Sequence, residues 1–319
     1  MTGHSKPRAH HYLPKCLLKG FAVVTKKRKI IWVYTKGELY RKSTVENEAH
    51  ERDFYAGEMA GEKRHDFEVM LSGIENSVAP VLDRIRRDDN YEITNPDRVI
   101  LAIFTALMFY RVHQGREFLD QLAVEAAKKV LHTRAANQTL FSADYHLVDT
   151  GEGWQKRAEE FRQDVLHGRL DISQTSKAFN LRYVIEATSM LAPLLGEMEW
   201  RLWRAHPGQE FISGDNPVIS LYPTKPGRAV IGSGFGLANT EIYFPLSSHV
   251  SLVMKHHHRK SPFWMLPTLE ELNLALMTAA TKRVYARSFS KTTDDLFQKI
   301  GCQLRYGKNA FVAGTRPPA

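Results

Sequence analysis

Residues that could bind a divalent metal ion or move a proton are spread along the whole chain. His11 lies near the amino terminus, Glu51 and Glu75 follow, and Asp215 lies in the last third. Hydrolysis of a phosphodiester with a metal ion needs several carboxylates, often a histidine, and a cation that stabilises the developing phosphate charge. Arg111 is a suitable cation because a guanidinium matches the geometry of a phosphate. The sequence predicts a centre in which His11, Glu51, Glu75 and Asp215 bind Mg²⁺ or Mn²⁺.

Asp215 is the carboxylate that the local sequence favours most. It lies in Gly214-Asp215-Asn216-Pro217, a pattern that forces a sharp exit from a strand and presents a short acid on a rigid turn. Asn216 is the neighbouring candidate for a substrate contact. The alternative is that Asp215 only stabilises the turn by bonding to backbone.

His11 and Arg111 also have structural alternatives. Adjacent residues of an extended segment point to opposite faces, so only one of His10 and His11 can face a common site, and we favour His11. A histidine that bonds to the backbone inside the fold is the alternative. Arg111 ends the most apolar segment of the chain, where a buried bridge to Glu75 or Glu51 is the alternative to phosphate binding.

The positive charge of the chain is concentrated at its amino terminus. Residues 1–50 contain eleven Lys and Arg against three Glu, which gives +8 of the total net charge of +9. A basic region attracts phosphates by long-range steering and counterion release. The run Lys26-Lys27-Arg28-Lys29 lies between two apolar segments and is the predicted substrate-binding tip. The alternative is an ordinary solvated turn.

Composition indicates a globular protein that buries a sizeable core. The 319 residues are 43% hydrophobic, and we expect one domain over residues 1–319. The two cysteines, Cys16 and Cys302, are far apart and favour a reducing compartment. The longest uncharged apolar run, residues 99–110, is too short to cross a bilayer, and the first residues do not resemble a secretory signal. We expect a cytoplasmic protein without a membrane partner.

Three subregions are predicted. Residues 1–55 read as basic strands because of runs such as residues 30–34. Residues 56–205 read as helices, with an apolar stripe over residues 67–85 and a buried helix near residues 97–134 that Asn95 caps. A third helix is expected over residues 181–205. The polar segment 136–174 is expected to be a mobile loop or partly helical insert.

The last subregion, residues 206–319, returns to strands and a helix. Strands are expected near residues 210–213, 218–221, 229–231, 242–244, 250–254 and 284–286, with a helix over residues 269–280. Strands and helices that do not alternate regularly favour an α+β fold, with a central helical bundle and a mixed or antiparallel sheet near the carboxyl terminus.

Several separated motifs together resemble the bacterial domain-of-unknown-function family 4238. They are His11-Tyr12-Leu13-Pro14 with Leu18 and Phe21, Glu51-Arg52-Asp53-Phe54-Tyr55, Glu68 with Ile74-Glu75, Arg111, Ser213-Gly214-Asp215-Asn216-Pro217, Phe244-Pro245-Leu246-Ser247, Leu272-Asn273 and Arg283-Val284-Tyr285. The chain departs from the family pattern at Gly214, where a hydroxyl residue is more usual. The resemblance marks candidate positions and implies no reaction.

Two classes of function follow from these residues. The first is a metal-dependent hydrolase of phosphodiesters, with nucleic acid as the expected substrate. Its catalytic residues would be His11, Glu51, Asp215 and Arg111. The alternative is a protein that binds nucleic acid or another acidic partner without catalysis, in which the polar residues only brace the fold. In a third reading they form a structural network and the interaction surfaces lie elsewhere.

Overall fold

A computed structural model of the chain describes residues 9–52, 65–170, 177–225, 228–232, 234–256, 267–300 and 312–313. The helices in these ranges are α1 (Lys15–Leu18), α2 (His65–Arg87), α3 (Asn95–Arg111), α4 (His113–Ala136), α5 (Gln138–His146), α6 (Trp154–Leu166), α7 (Lys177–Gly196), α8 (Leu269–Ala279) and α9 (Lys291–Lys299). Short 3-10 helices cover Lys19–Phe21 and Val45–Asn47. The helices and antiparallel sheets confirm the predicted α+β class.

Every strand pair in the described ranges is antiparallel. The strands are β1 (Ala9–His11), β2 (Val23–Val24), β3 (Lys29–Thr35), β4 (Arg41–Thr44), β5 (His50–Arg52), β6 (Glu199–Arg204), β7 (Ser213–Gly214), β8 (Ile219–Lys225), β9 (Arg228–Ile231), β10 (Glu241–Pro245), β11 (Val250–Lys255), β12 (Arg283–Ala286) and β13 (Val312–Ala313). One sheet has the order β13-β9-β8-β10-β11-β6, a second has β2-β3-β12-β7 with β4 paired to β3, and β1 pairs with β5.

The basic amino-terminal strands share a sheet with strands from the end of the chain. β3 pairs with β12, so that Thr35 lies opposite Arg283 and Trp32 lies opposite Ala286. On the other side of β12, β7 places Gly214 opposite Val284. This arrangement places β7, which leads into Asp215, and β3, which begins in the basic run, on either side of β12.

The predicted buried helix near residues 97–134 is two helices. α3 ends at Arg111, Val112 is extended with a ψ of 164°, and α4 begins at His113. Gly115 allows this corner, because a Cβ atom there would lie 2.7 Å from the Cα of Tyr110. The capping residue is Thr94, whose side chain accepts from the amide of Asp97, so the prediction of Asn95 as the cap was wrong by one position.

One further expectation is confirmed in one of its alternatives, and another is corrected. The segment 136–174 is the partly helical insert and not the mobile loop, because it contains α5 and α6, which pack on α4 through a small apolar cluster that includes Phe141 and Phe161. The helix expected over residues 181–205 ends at Gly196, and β6 follows as an edge strand beside β11. β6 carries three charged residues, Glu199, Arg201 and Arg204, and charged side chains suit an edge strand.

The core is concentrated around α3. This helix packs against α7, α2 and α4, and its apolar side chains join those of α1 and of the inner faces of β3, β10 and β11. A second apolar cluster fills the space between α8 and the strands β8, β10 and β12. Among the described residues, none of the helices is both long enough and apolar enough to cross a membrane.

Candidate functional site

The amino-terminal turn fixes the position of His11. β1 pairs with β5, which places His11 opposite His50 and His10 opposite Glu51. The amide of Tyr12 donates to the carbonyl of Ala49 at 2.9 Å. Ala49 has a φ of 53°, in the left-handed region that is unusual for alanine. The chain therefore turns sharply before β5. The backbone of Glu51, a predicted site residue, follows His50 in β5 and lies opposite His10. The side chain of Glu51 is outside the described part of the structure.

The His11 ring is set up as a neutral imidazole. Burial lowers the pKa of His11 to about 4, and the positive charge of Lys15 adds to this effect. Its Nδ1 atom lies 3.1 Å from the carbonyl oxygen of Glu48 and therefore carries the proton and donates it. The Nε2 atom then has the lone pair. Metal-binding histidines commonly have this arrangement, in which the other ring nitrogen donates to a carbonyl.

Arg111 ties three elements together inside the protein. Its side chain is 2% exposed and donates to Glu75 Oε1 at 2.9 Å, and it also donates to the carbonyl oxygen of His11. Since Glu75 lies on α2 and Arg111 ends α3, the pair fastens both helices to the amino-terminal turn. This is the buried bridge that the sequence left as the alternative to phosphate binding. Glu75 itself is 29% exposed and reaches solvent.

The carboxylate of Asp215 is occupied by the backbone. Its Oδ1 atom accepts from the amide of Thr281 at 2.8 Å, and Oδ2 accepts from the amides of Lys282 and Arg283 at 2.7 and 2.9 Å. Asp215 is 7% exposed. Burial raises the pKa of this carboxyl, and the three amide donors oppose that rise. Both oxygens help to hold the turn between α8 and β12, which favours the structural role over metal binding.

Asn216 bonds to the first turn of α4. Its Nδ2 atom donates to Oε1 of Gln114. Its Oδ1 atom is buried and has no hydrogen-bond partner among the described residues. A buried polar atom without a partner loses its hydration without compensation, so it is a position where a ligand or a water molecule would be favourable.

Sequence reasoning missed a set of buried polar side chains between His11 and Asp215. The hydroxyls of Tyr12 and Tyr285 are 3.1 Å apart, and burial raises the pKa of Tyr285 well above its usual value. Glu48 is buried and accepts from Arg41 at 2.6 Å through Oε1. We call Tyr12, Glu48, Gln114, Asn216, Arg283 and Tyr285 the polar cluster.

Two further atoms of the polar cluster lack a partner. Glu48 Oε2 and Arg283 Nε are buried and have no hydrogen bond within the ranges that the structure describes. Glu48 escaped the sequence analysis because a lone acid between two strands is typical of a solvated residue. The signal that could have found the cluster is the alternation of Arg283 and Tyr285 around the apolar Val284, which places both on one face of β12.

The predicted basic tip is an exposed turn. The amide of Thr25 donates to the carbonyl of Arg28 at 2.8 Å, which closes the hairpin between β2 and β3. Lys26, Lys27 and Arg28 are exposed, and Lys29 is half-buried. The neighbouring strand β4 adds two cations, Arg41 and Lys42. We call these six residues the basic edge.

The predicted site residues fall into three places. Arg111 brings His11 and Glu75 together, and Asp215 and Asn216 lie at the turn before β12. The basic turn leads into Lys29, the first residue of β3, whereas Thr35, its last residue, lies opposite Arg283. Lys29 and Thr35 are six positions apart, which is about 20 Å along a strand. Among the described side chains, no three His, Cys, Asp or Glu residues are grouped closely enough to hold a metal ion.

The fold and site define an α+β protein in which widely separated motifs meet in a buried polar cluster beside a basic edge. The family model described as "Protein of unknown function (DUF4238)" matches residues 9–290, and the chain belongs to this family. The match confirms the resemblance that the motifs carried. Comparison with curated proteins found no match, and comparison with solved structures found none either.

Proposed function

We propose that the protein binds nucleic acid through the basic edge, with the polar cluster bracing the fold behind it. The observation that carries this proposal is the exposure of Lys26, Lys27 and Arg28 on a turn that is closed by hydrogen bonds between Thr25 and Arg28 and uses none of the three charged groups. None of these three cations is paired with an acid within the described residues. Unpaired exposed cations are available to phosphates, and each phosphate that they neutralise releases a counterion.

The two cations of β4 extend the same surface. Lys42 lies opposite Trp32 in the register of β3 and β4, and its Nζ atom lies 4.9 Å from the centre of the Trp32 ring. Arg41 lies opposite Val33, and its side chain is 43% exposed although it also contacts Glu48. The β2–β3 turn precedes β3, and the two cations of β4 lie beside Trp32 and Val33, further along the same strand. A polyanion that runs along β3 from the turn can therefore contact cations from both hairpins.

Replacing Lys26, Lys27 and Arg28 by Gln tests this function. We expect the triple variant to lose most of the affinity of the protein for a fluorescent oligonucleotide at low salt, while its thermal unfolding changes little because the side chains are exposed. The matched control replaces Lys128, Lys129 and Lys156 by Gln, an equal change in charge on α4 and α6. Equal affinity of the two triple variants would contradict the proposal.

A second candidate function is metal-dependent hydrolysis of the bound phosphodiester. The state of His11 favours it, because a neutral imidazole with its Nδ1 proton held by a carbonyl can bind a metal ion or accept a proton through Nε2. Glu75 reaches solvent near the same turn, and Glu51 lies on the strand paired with β1. These residues suit Mg²⁺ or Mn²⁺, whereas the carboxylate of Asp215 is already used by three amides.

Cleavage of labelled single and double strands with Mg²⁺, Mn²⁺ or a chelator tests this candidate. We expect product only with the metal ion and none from His11→Gln, a variant that retains a donor for the carbonyl of Glu48. Asp215→Ala is not informative for this purpose, because its effect on folding comes first. Cleavage that persists in His11→Gln or in the chelator would contradict a metal site at His11.

A further inference from the structure

Three aromatic side chains form an exposed cluster next to the basic edge. The ring centres of Tyr40 and Phe289 are 4.5 Å apart, and those of Trp32 and Phe289 are 5.0 Å apart. Tyr40 is 39% exposed and Phe289 is 42% exposed. The rings come from β3, the segment before β4 and the segment between β12 and α9. Two exposed rings packed beside the half-buried Trp32 ring, from the β3–β4 hairpin and from a distant part of the chain, are more than the scattered apolar residues of an ordinary surface.

One ring of the aromatic cluster, that of Phe289, also lines a cleft. The cleft has a volume of about 1020 Å³ and continues along the end of α2 and the loop after β6. Arg87, His206 and His249 are exposed in this cleft. The cleft is therefore continuous with the aromatic cluster and is large enough for a nucleotide segment.

The charges in the cleft favour an anion. Arg86 donates to three backbone carbonyls, those of Cys16, Leu17 and Leu246, and lies 3.7 Å from the carboxylate of Asp83, which does not line the cleft. The acids that line the cleft, Asp89 and Glu210, are each near an arginine: Asp89 lies 3.0 Å from Arg204, and Glu210 lies 3.8 Å from Arg287. Arg87 adds an exposed cation to these pairs. The cleft has an excess of positive charge beside a face of exposed rings.

We propose that the aromatic cluster and the cleft bind single-stranded nucleic acid, with unpaired bases stacked on Tyr40 and Phe289 and the phosphate backbone along Arg87 and the basic edge. This inference rests on the proposed function and names its substrate class. Stacking on protein rings requires unpaired bases, because the bases of a duplex are covered by their neighbours. The basic edge alone would bind single-stranded and double-stranded nucleic acid. The Nζ atom of Lys42 lies over the Trp32 ring, so a cation is available to the phosphate next to a base that stacks on the aromatic cluster.

Fluorescence anisotropy with a labelled oligothymidylate of about 20 nucleotides and a duplex of similar length tests the inference. We expect the protein to bind the single strand more tightly. Phe289→Ala should weaken single-strand binding about five- to 150-fold, the range for loss of one stacked base, and should change duplex binding less than about twofold. Phe289→Trp should retain single-strand binding because it restores a stacking face.

Two controls separate the outcomes. Leu147→Ala removes an apolar side chain that is 83% exposed on a different surface and should leave both affinities unchanged. Tyr40→Ala reports on the second ring if Phe289→Ala unfolds. Equal losses on single strand and duplex, or no loss in either ring variant, would overturn the stacking site while the basic edge stands. Absence of binding by the unmodified protein to both oligonucleotides would overturn the proposed function and this inference together.

Discussion

Asp215 and Arg111 each hold backbone groups from segments far away in the chain. Asp215 accepts from three consecutive amides before β12, and Arg111 donates to the carbonyl of His11 as well as to Glu75. Residue types could identify both as chemically important, since a turn aspartate and a charged residue in an apolar helix are unusual. They could not identify the partners, because backbone amides and carbonyls occur at every position and leave no trace in the sequence.

Replacing Asp215 by Ala should strongly destabilise the protein. Three amides would lose their acceptor together, and we expect a loss of about 2 to 4 kcal/mol in the free energy of unfolding. Urea unfolding measures this loss. Asp295→Ala, which removes an exposed acid from α9, should change stability by less than about 0.5 kcal/mol. A similarly small change for Asp215→Ala would show that the amides do not depend on this carboxylate.

His11 should make the protein less stable as the solution is acidified. Its folded pKa is about 4, whereas the ordinary value is 6.5, so the unfolded chain takes up a proton in this range that the folded chain does not. The contribution of His11 to the free energy of unfolding is fully present above pH 6.5 and is lost as the pH falls toward 4. This loss is at most about 3 kcal/mol.

Unfolding of His11→Gln across this pH range checks the assignment. The variant should show a shallower decline in stability than the unmodified protein, because glutamine does not titrate. His206→Gln, a change at an exposed histidine, should follow the unmodified protein. Parallel curves for His11→Gln and the unmodified protein would mean that His11 titrates normally in the folded state.

At the scale of elements, periodic apolar patterns predicted much of the fold. The stripe over residues 67–85 marked α2, and short runs of apolar residues marked β8, β10, β11 and β12. The patterns did not mark the break between α3 and α4, because Val112 is apolar and continues the sequence pattern through the corner. For α5 and α6 they left a mobile loop and a helical insert as alternatives, because the apolar residues there cover only a narrow face. Packing, which sequence periodicity does not contain, decides these cases.

The corner between α3 and α4 should be sensitive to one methyl group. Gly115→Ala would place a Cβ atom against the backbone of Phe109 and Tyr110, and we expect a loss of several kcal/mol because backbone cannot move aside easily. Gly73→Ala is the matched change within α2, where nothing lies within 4 Å of the new atom. It should stabilise the protein by about 0.5 to 1 kcal/mol. Equal effects in urea unfolding would contradict this description of the corner.

At the scale of the whole molecule, the basic turn and Arg283 of the polar cluster lie at opposite ends of β3, while Arg41 of the basic edge contacts Glu48 of that cluster. Charge counting located the cations on the amino-terminal segment without any structure, since eleven basic residues against three acids are visible in the sequence. The sheet that unites β3 with β12 could not be predicted in this way, because pairing between strands about 250 residues apart depends on the complete core. The sequence therefore located the basic residues, whereas the pairing of the strands that carry them required the structure.

The dependence of binding on salt tests the central claim most directly. The logarithm of the association constant should fall linearly with the logarithm of the salt concentration. Replacing Lys26, Lys27 and Arg28 by Gln should make the slope shallower by about 2 on a single strand and about 3 on a duplex, since each cation neutralises one phosphate. A slope that is unchanged in this variant would contradict binding of nucleic acid through the basic edge.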